Sequence, residues 1–226
     1  DNQKFQWKPD SDPRPIYGFP NFDNKNLPGC FIIYEHPKTN EKEEVFEGRY
    51  IAGIDSFDFD ESTTTSLGSL FIMDSWTGRV VAEYTGRPKA FEFYEKCRRG
   101  LLYYNARVNI ENANKGIFDY FDSRGCGYLI TDELRISREA VNETNTSTRK
   151  SGTTPSKPLN AYARGLIAQY LLESTNNPDK PEEINVHKLR CLPLIKELIL
   201  WNSDGNFDRV SAFGMLILLY CEKKKY

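Results

Sequence analysis

From residue 49 onward, short apolar runs of strand length come first, and apolar side chains at the spacing of helices follow. Three runs, 49–55, 67–73 and 79–84, are rich in β-branched and aromatic side chains and predict strands. Residues 74–78 have the composition of a hairpin turn between the second and third strands. After Arg49, the first run is apolar until its last residue, Asp55, which is typical of a buried central strand that ends at the rim of a sheet.

Helical spacing dominates the remainder of the chain. Apolar side chains recur at that spacing across 89–104 and predict a helix. Residues 105–111 predict a fourth strand, Asn112 is expected to cap a second helix, and residues 127–130 predict a fifth, short strand. Further helices are predicted at 161–173, 188–201 and 208–220, the last apolar nearly all round and therefore buried.

The length and this element order predict one α/β domain with additions. A chain of 226 residues can bury a full core. Residues 1–48 are rich in Pro, Asn, Asp and Lys, and we interpret them as a lead-in segment that packs on the domain or links it to another. Residues 49–226 then form the domain itself, a central mixed sheet flanked by helices. Ser137–Pro158 is rich in Ser, Thr, Asn and Lys, which predicts a mobile loop.

Composition removes several classes of function. Hydrophobic residues make up 39% of the chain and aromatic residues 13%, as in folded globular proteins. The net charge of −2 argues against a general nucleic-acid binder, so local basic patches matter more than the total. Five scattered cysteines without a CxxC pair, and only two histidines, argue against a zinc site. Free thiols fit a reducing cytosol.

Several absences in the sequence bear on localisation and energy supply. No apolar run approaches the roughly 20 residues that a membrane helix needs, and we expect no signal peptide. No GxxxxGK[ST] phosphate-binding loop occurs, so this chain carries no nucleotide-driven motor of its own. Because the chain begins at Asp1 without a methionine, we expect it to be a piece of a larger protein.

Three acids lie where predicted elements end or begin. Asp55 ends the first predicted strand, Glu111 ends the fourth, and Asp208 opens the last helix. Sites in open α/β sheets form at the carboxyl ends of strands, so these carboxylates are expected to converge. With no histidine nearby, they make an oxygen-only site that suits Mg²⁺ or Mn²⁺. The sequence thus points to metal-dependent phosphodiester cleavage, with Asp55, Glu111 and Asp208 as both catalytic and metal-binding residues.

Each acid also has a purely structural interpretation. Asp55 could accept backbone hydrogen bonds in a turn, Glu111 could cap the following helix, and Asp208 could favour the helix dipole. Their expected convergence favours the metal role. Four further acids are also considered. Asp58, Asp60 and Glu61 lie in an acidic loop and could reach a metal through water. Asp204 is a rival to Asp208 that more simply makes a turn.

Four basic residues bracket the predicted mobile loop. Arg149, Lys150, Lys157 and Arg164 could grip DNA phosphates beside the acids, which would position DNA without reading its sequence. An ordinary solvated loop explains the same residues equally well.

The order of elements and acids resembles the ribonuclease H-like fold and, within it, the nuclease domain of the large terminase subunit of tailed bacteriophages. The resemblance spans roughly residues 28–220. Two positions depart from the family pattern: Phe207 precedes Asp208 where many members carry a second acid, and Ser56 stands where proline is common. The fragments that carry the resemblance are Tyr50–Asp55, Val81–Arg87, Phe93–Cys97, Tyr103–Ala106, Glu111–Gly116 and Asp208–Ala212.

The resemblance implies a DNA endonuclease with little sequence preference that cuts concatemeric viral DNA during genome packaging. It implies two divalent ions, Mg²⁺ or Mn²⁺, bridged by Asp55, with Glu111 on one ion and Asp208 on the other. One ion would prepare the attacking water, and the other would stabilise the leaving 3′ oxygen.

The same resemblance implies partners and a place of action. The expected substrate is double-stranded DNA. The full-length protein is expected to include an ATPase domain and to meet the small terminase subunit and the portal, without a membrane. Its expected location is the cytoplasm of the infected bacterial host, at the procapsid portal, and the isolated domain is expected to be monomeric.

Two other kinds of function stay open on the sequence. A junction resolvase or transposase-like enzyme would keep the fold and the acids but act on another substrate. A non-catalytic module that docks on DNA or on the portal would give the acids a structural role. The presence of all three acids argues against the docking module, and the lack of a recognisable DNA-reading module argues against a transposase.

Overall fold

A mixed five-stranded sheet forms the centre of the computed structural model, which describes residues 29–58, 66–141, 151–202 and 205–225. The strands lie in the order β1-β4-β3-β2-β5. Strands β2, β3 and β4 form an antiparallel meander, and β5 joins it parallel to β2. This is the topology of the ribonuclease H-like fold, so the predicted α/β fold class is confirmed. The strand bounds are β1 Phe31–Ile33, β2 Tyr50–Asp55, β3 Gly68–Asp74, β4 Arg79–Gly86 and β5 Arg107–Ile110.

Helices of the described chain cover both faces of the sheet. Helices α1 (Ala90–Tyr104) and α2 (Gly116–Ser123) pack on one face. The other face carries α3 (Arg135–Ala140), α4 (Lys157–Leu172), α5 (Leu192–Leu200) and α6 (Asp208–Lys225). Helix α6 lies directly on β2 and β3 and is buried along most of its length, as predicted. No helix in the described parts of the chain is long and apolar enough to cross a membrane.

The close approach of α6 to the sheet depends on Gly53 in the middle of β2. A Cβ atom at this position would lie 2.2 Å from the backbone nitrogen of Leu216 and 2.4 Å from the carbonyl oxygen of Ala212. Only a residue without a side chain allows two backbones to come this close. Because α6 crosses β2 here, its first turns reach the end of the strand, next to Asp55.

Two predicted elements around β5 differ from the structure. Residues 127–130 do not form a strand but a 3₁₀ turn at Gly127–Leu129, followed by a single bridge from Ile130 to Val108. The chain turns back immediately after α2, with the Cys126 N–H donating to the carbonyl of Phe121 at 2.8 Å. This tight return leaves only one residue extended beside the short strand β5.

Helix α2 begins at Gly116 and is not capped by Asn112, which corrects the second prediction. The carboxylate of Asp58 accepts hydrogen bonds from the backbone N–H groups of Lys115 and Gly116, at 2.9 and 3.2 Å. An acid from a distant segment therefore satisfies the helix start. The Asn112 side chain instead donates to the carbonyl of Ser151 at 3.0 Å.

Where the structure describes it, at residues 137–141 and 151–158, the predicted mobile loop forms defined structure. Ser137 lies inside α3 and is buried, and α4 begins at Lys157 with the Ser156 side chain as its cap. Thr153 is fully buried, pairs with Glu111 in a parallel bridge, and belongs to the sheet edge. The prediction was wrong for these residues because a few buried contacts outweigh a polar composition. Residues 142–150 lie outside the described residues, as do residues 1–28 of the predicted lead-in segment.

Exchanging Gly53 for alanine should destabilise the protein, whereas the same exchange at Gly165 should stabilise it. The added methyl group at Gly53 meets backbone atoms of α6 at 2.2 Å, and overpacking of this kind costs about 1–3 kcal/mol or more. Gly165 is exposed inside α4, and a methyl group added there meets nothing within 4 Å, so alanine should gain about 0.5–1 kcal/mol of helix propensity. Urea unfolding of both variants tests this, and equal effects at the two positions would contradict the packing described.

Candidate metal centre

Asp55 and Glu111 lie side by side at the carboxyl edge of the sheet. Strands β2 and β5 run parallel with Ile54 beside Ile110, and the N–H of Glu111 donates to the carbonyl of Ile54 at 3.1 Å. Side chains alternate between the faces of a strand, so both acids project toward the face covered by α6. The register of two neighbouring strands thus places the first two predicted site residues together.

Asp208 reaches the same edge from the first turn of α6. It is buried, with 7% of its surface exposed. Its Oδ2 accepts a hydrogen bond from the N–H of Leu67 at 2.7 Å, and its Oδ1 accepts one from the Ser66 hydroxyl at 2.9 Å. A weaker contact comes from the Asn206 amide at 3.3 Å. The turn at residues 66–67, just before β3, therefore fixes both carboxylate oxygens next to the end of β2.

The charges of neighbouring acids raise the pKa values of Asp55 and Glu111. Burial raises the pKa of Asp55 well above its usual value, and the carboxylates of Glu111 and Asp208 raise it further, while a hydrogen bond from Ser211 opposes the shift. Burial and then Asp208 raise the pKa of Glu111. Burial also raises the pKa of Asp208, which its hydrogen bonds oppose. The structure thus brings together the three acids that the sequence singled out, at a distance where their charges interact.

The donor set fits a hard divalent cation. All three groups are carboxylates, the ligand type that Mg²⁺ and Mn²⁺ prefer, and their full ionisation in a buried place needs a compensating positive charge. In the described parts of the chain, no three His, Cys, Asp or Glu side chains are drawn tightly enough to enclose one ion. Asp55, Glu111 and Asp208 would hold such a cation, which would compensate their negative charge.

Glu197 on α5 is a fourth acid near the site, and the sequence pattern did not single it out. Its Oε2 accepts hydrogen bonds from the N–H groups of Arg209 and Val210, at 3.0 and 3.3 Å. The guanidinium of Arg209 donates to its Oε1 at 2.6 Å. Glu197 therefore caps the start of α6 and fixes the turn that carries Asp208. Only the packing of α5 against α6 reveals this role.

Two hydroxyl groups complete the surroundings of Asp55. Ser211 lies one turn after Asp208 on α6 and hydrogen-bonds the Asp55 carboxylate. The three-residue spacing from Asp208 places it on the same face of the helix, a signal present in the sequence. Ser69 is the register partner of Asp55 on β3, and its Oγ lies 2.9 Å from the Oγ1 of Thr85. Finding Ser69 requires the strand register.

Other predicted site residues have different positions. The Asp58 carboxylate accepts hydrogen bonds from the backbone at the start of α2, and it accepts another from the Tyr94 hydroxyl at 2.8 Å. Lys157 is exposed at the start of α4, and Arg164 is exposed on the same helix with its guanidinium 4.5 Å from the centre of the Trp201 ring. The remaining candidates lie outside the described residues: Asp60, Glu61, Arg149, Lys150 and Asp204.

Several solved structures of one phage protein are similar to this chain over most of its length. The crystal structure of the large terminase nuclease from thermophilic phage G20c with bound magnesium has a TM-score of 0.47 and 11% sequence identity, covering 84% of this chain and 86% of that chain. The structure with bound cobalt has a TM-score of 0.48 and 10% identity, with coverage of 84% and 86%. The structure with bound zinc has a TM-score of 0.46 and 11% identity, with coverage of 82% and 85%.

These similarities concern the arrangement of the chain alone, and the roles of individual residues rest on the site geometry above. No protein-family model and no curated protein sequence matches the chain.

Without divalent metal, the free energy of unfolding should fall as the pH rises above about 4, through the raised pKa of Asp55. The folded state keeps the Asp55 proton to a higher pH than the unfolded state does. Between the two pKa values the folded state therefore binds more protons, and the free energy of unfolding falls as the pH rises. Asp55→Asn removes the charge and should flatten this decline, giving a higher Tm at pH 8. Thermal unfolding in EDTA across the window measures it.

The matched control for this pH series is Glu182→Gln, which removes one negative charge from an exposed position far along the chain from the site. It should leave the slope unchanged. An Asp55→Asn variant no more stable than the parent protein at pH 8 would contradict the proximity of the three carboxylates.

Proposed function

We propose that the chain is a metal-dependent endodeoxyribonuclease that cuts concatemeric viral DNA during genome packaging. The observation that carries the proposal is the meeting of Asp55, Glu111 and Asp208 at one edge of a ribonuclease H-like sheet, where burial raises all three pKa values and neighbouring acids raise those of Asp55 and Glu111 further. One buried and two half-buried acids in one place are costly unless a cation binds them. A divalent cation held in this way is the usual device for hydrolysing a phosphodiester.

Asp55 is the central member of the proposed site. It lies beside Glu111 at the ends of two neighbouring strands, and Ser211, on the helix that begins at Asp208, hydrogen-bonds its carboxylate. Asp55 would accordingly be shared between two Mg²⁺ or Mn²⁺ ions, with Glu111 and Asp208 each on one of them. When bound, such ions supply an activated water and stabilise the leaving oxygen.

The surrounding residues orient these carboxylates. Ser211 donates a hydrogen bond to Asp55, and the turn at residues 66–67 donates to both oxygens of Asp208. Asp55 and Asp208 are thus held by groups that do not themselves compete for a cation as charged ligands. Such support is what keeps metal ligands in their productive orientation.

Double-stranded DNA is the proposed substrate, bound through its phosphates. Lys157 and Arg164 on the exposed side of α4 are proposed contacts, together with Arg149 and Lys150. Contacts of this kind carry no sequence information, which suits an enzyme with little sequence preference. The net charge of −2 gives little long-range attraction, so the isolated chain should bind DNA weakly. The proposed setting is the cytoplasm of an infected bacterium. There the chain would act together with an ATPase domain, the small terminase subunit and the portal.

Asp55→Asn, Glu111→Gln and Asp208→Asn should each reduce plasmid nicking by roughly 100-fold or more, because each removes a charged ligand without changing side-chain size. Asp119→Asn is the control, since it neutralises an exposed acid on α2, on the opposite face of the sheet. Plasmid relaxation on agarose gels measures the activity, and thermal unfolding checks the fold. A variant that nicks at the parent rate would remove that residue from the set of ligands.

Cleavage should require Mg²⁺ or Mn²⁺ and should stop in excess EDTA or when Ca²⁺ replaces them. Calcium binds the same oxygen ligands but tolerates looser geometry, which suits in-line attack poorly. The plasmid assay with each ion, at equal ionic strength, measures this directly. Full activity in EDTA would contradict the proposed function, whatever the behaviour of the variants.

A further inference from the structure

Arg87 lies immediately after β4, at the same edge of the sheet as Asp55. Gly86 pairs with Gly68 at the start of β3, which brings Arg87 beside the turn at residues 66–67. Its Nη1 donates a hydrogen bond to the carbonyl of Ser66 at 2.6 Å. Its guanidinium carbon also lies 4.0 Å from the centre of the Phe57 ring. The side chain therefore contacts two different segments, one on each side of the acid site.

The first contact leads to Asp208. The residue whose carbonyl Arg87 holds, Ser66, donates its hydroxyl to Asp208, and the next residue, Leu67, donates its N–H. Both oxygens of the carboxylate are thus oriented by a single turn. If that turn moved, the Asp208 carboxylate would rotate with it.

The second contact leads to Asp55, two residues before Phe57. The Phe57 ring is buried and lies 5.3 Å from the ring of Phe93, and the Phe57 carbonyl accepts a hydrogen bond from the Tyr94 hydroxyl at 2.7 Å. The chain leaving Asp55 is therefore anchored on α1. Arg87 stacks on this anchor while it holds the turn that orients Asp208.

We propose that Arg87 is a positioning residue that fixes the separation of Asp55 and Asp208 for metal binding, by tying together the two segments that hold them. The proposal rests on the proposed function in so far as these acids bind metal. It assigns Arg87 no contact with metal or DNA. Its guanidinium acts through Ser66 on one side and through Phe57 on the other.

The proposed role of Arg87 depends on the position and shape of its guanidinium. Arg87 contributes a directed hydrogen bond to a carbonyl and a flat surface that stacks on an aromatic ring. Lysine keeps the charge but offers neither the planar group nor the same donor geometry, so it should not replace arginine here.

Calorimetric titration with Mn²⁺, without DNA, tests the proposal on the intact chain. Arg87→Ala should weaken Mn²⁺ affinity by about 10–100-fold, the usual effect of removing a residue that orients metal ligands. Arg87→Lys should recover little of this loss. If the alanine variant does not fold, the Mn²⁺ affinity of the lysine variant is compared with that of the parent instead. Parent-like Mn²⁺ affinity in a folded Arg87 variant would overturn the proposal.

Arg107 provides the matched control. It also holds main-chain carbonyls, those of Leu129 and Ile130 at 3.3 and 3.1 Å, but at the start of β5 on the opposite edge of the sheet. Arg107→Ala removes a comparable side chain and should leave Mn²⁺ affinity within about twofold of the parent. A loss as large as that of Arg87→Ala would show that general destabilisation lowers the affinity, and would also overturn the proposal.

A metal-free measurement separates this proposal from the proposed function. If the parent chain bound no Mn²⁺, the proposed function would fail, and the link between Arg87 and Asp208 would still be decided by thermal unfolding in EDTA. The Tm shift of the double variant should then differ from the sum of the shifts of Arg87→Ala and Asp208→Asn, because both changes act on the turn at residues 66–67. Additive shifts would refute the link.

Discussion

The repulsion among three carboxylates at one edge of the sheet, one buried and two half-buried, is the constraint on which the rest of this structure depends. Charges of one sign raise each other's pKa values and favour separation, and burial adds to the cost. The fold withstands this only because each acid is fixed by backbone geometry. Parallel register places Asp55 beside Glu111, and the start of α6 delivers Asp208. The stability lost at this edge is the quantity that a divalent cation would restore.

Helix α6 links the core to the site. Gly53 lets the helix lie directly on β2, Glu197 caps its first turn, and the turn at residues 66–67 holds the carboxylate of Asp208. Each contact comes from a different element, so the position of one acid is determined from the sheet, from α5 and from the loop before β3. Precise placement of this kind is what separates a metal site from acids that share a surface by chance.

The sequence was sufficient to predict the parts of the fold that follow from periodicity. The strands of the meander, helix α1 and the buried final helix carry strong patterns, and the acids at their ends were identified from position alone. Tertiary contacts decided what could not be predicted. Asp58, distant in sequence, accepts hydrogen bonds at the start of α2, so the helix begins at Gly116 and not at the predicted Asn112. Thr153 pairs with Glu111 at the edge of the sheet, although the polar composition of its segment predicted a loop. Glu197 and Ser69 join the site only through helix packing and strand register, which no local pattern encodes.

The central claim is that Asp55, Glu111 and Asp208 together hold divalent metal. A crystal structure of the chain with Mn²⁺, located by its anomalous scattering, tests this most directly, because it reports ligands independently of activity. The account predicts two ions at the edge of the sheet, with Asp55 bound to both and Glu111 and Asp208 to one each. Fully occupied Mn²⁺ at other positions, with these three carboxylates left without metal, would contradict it.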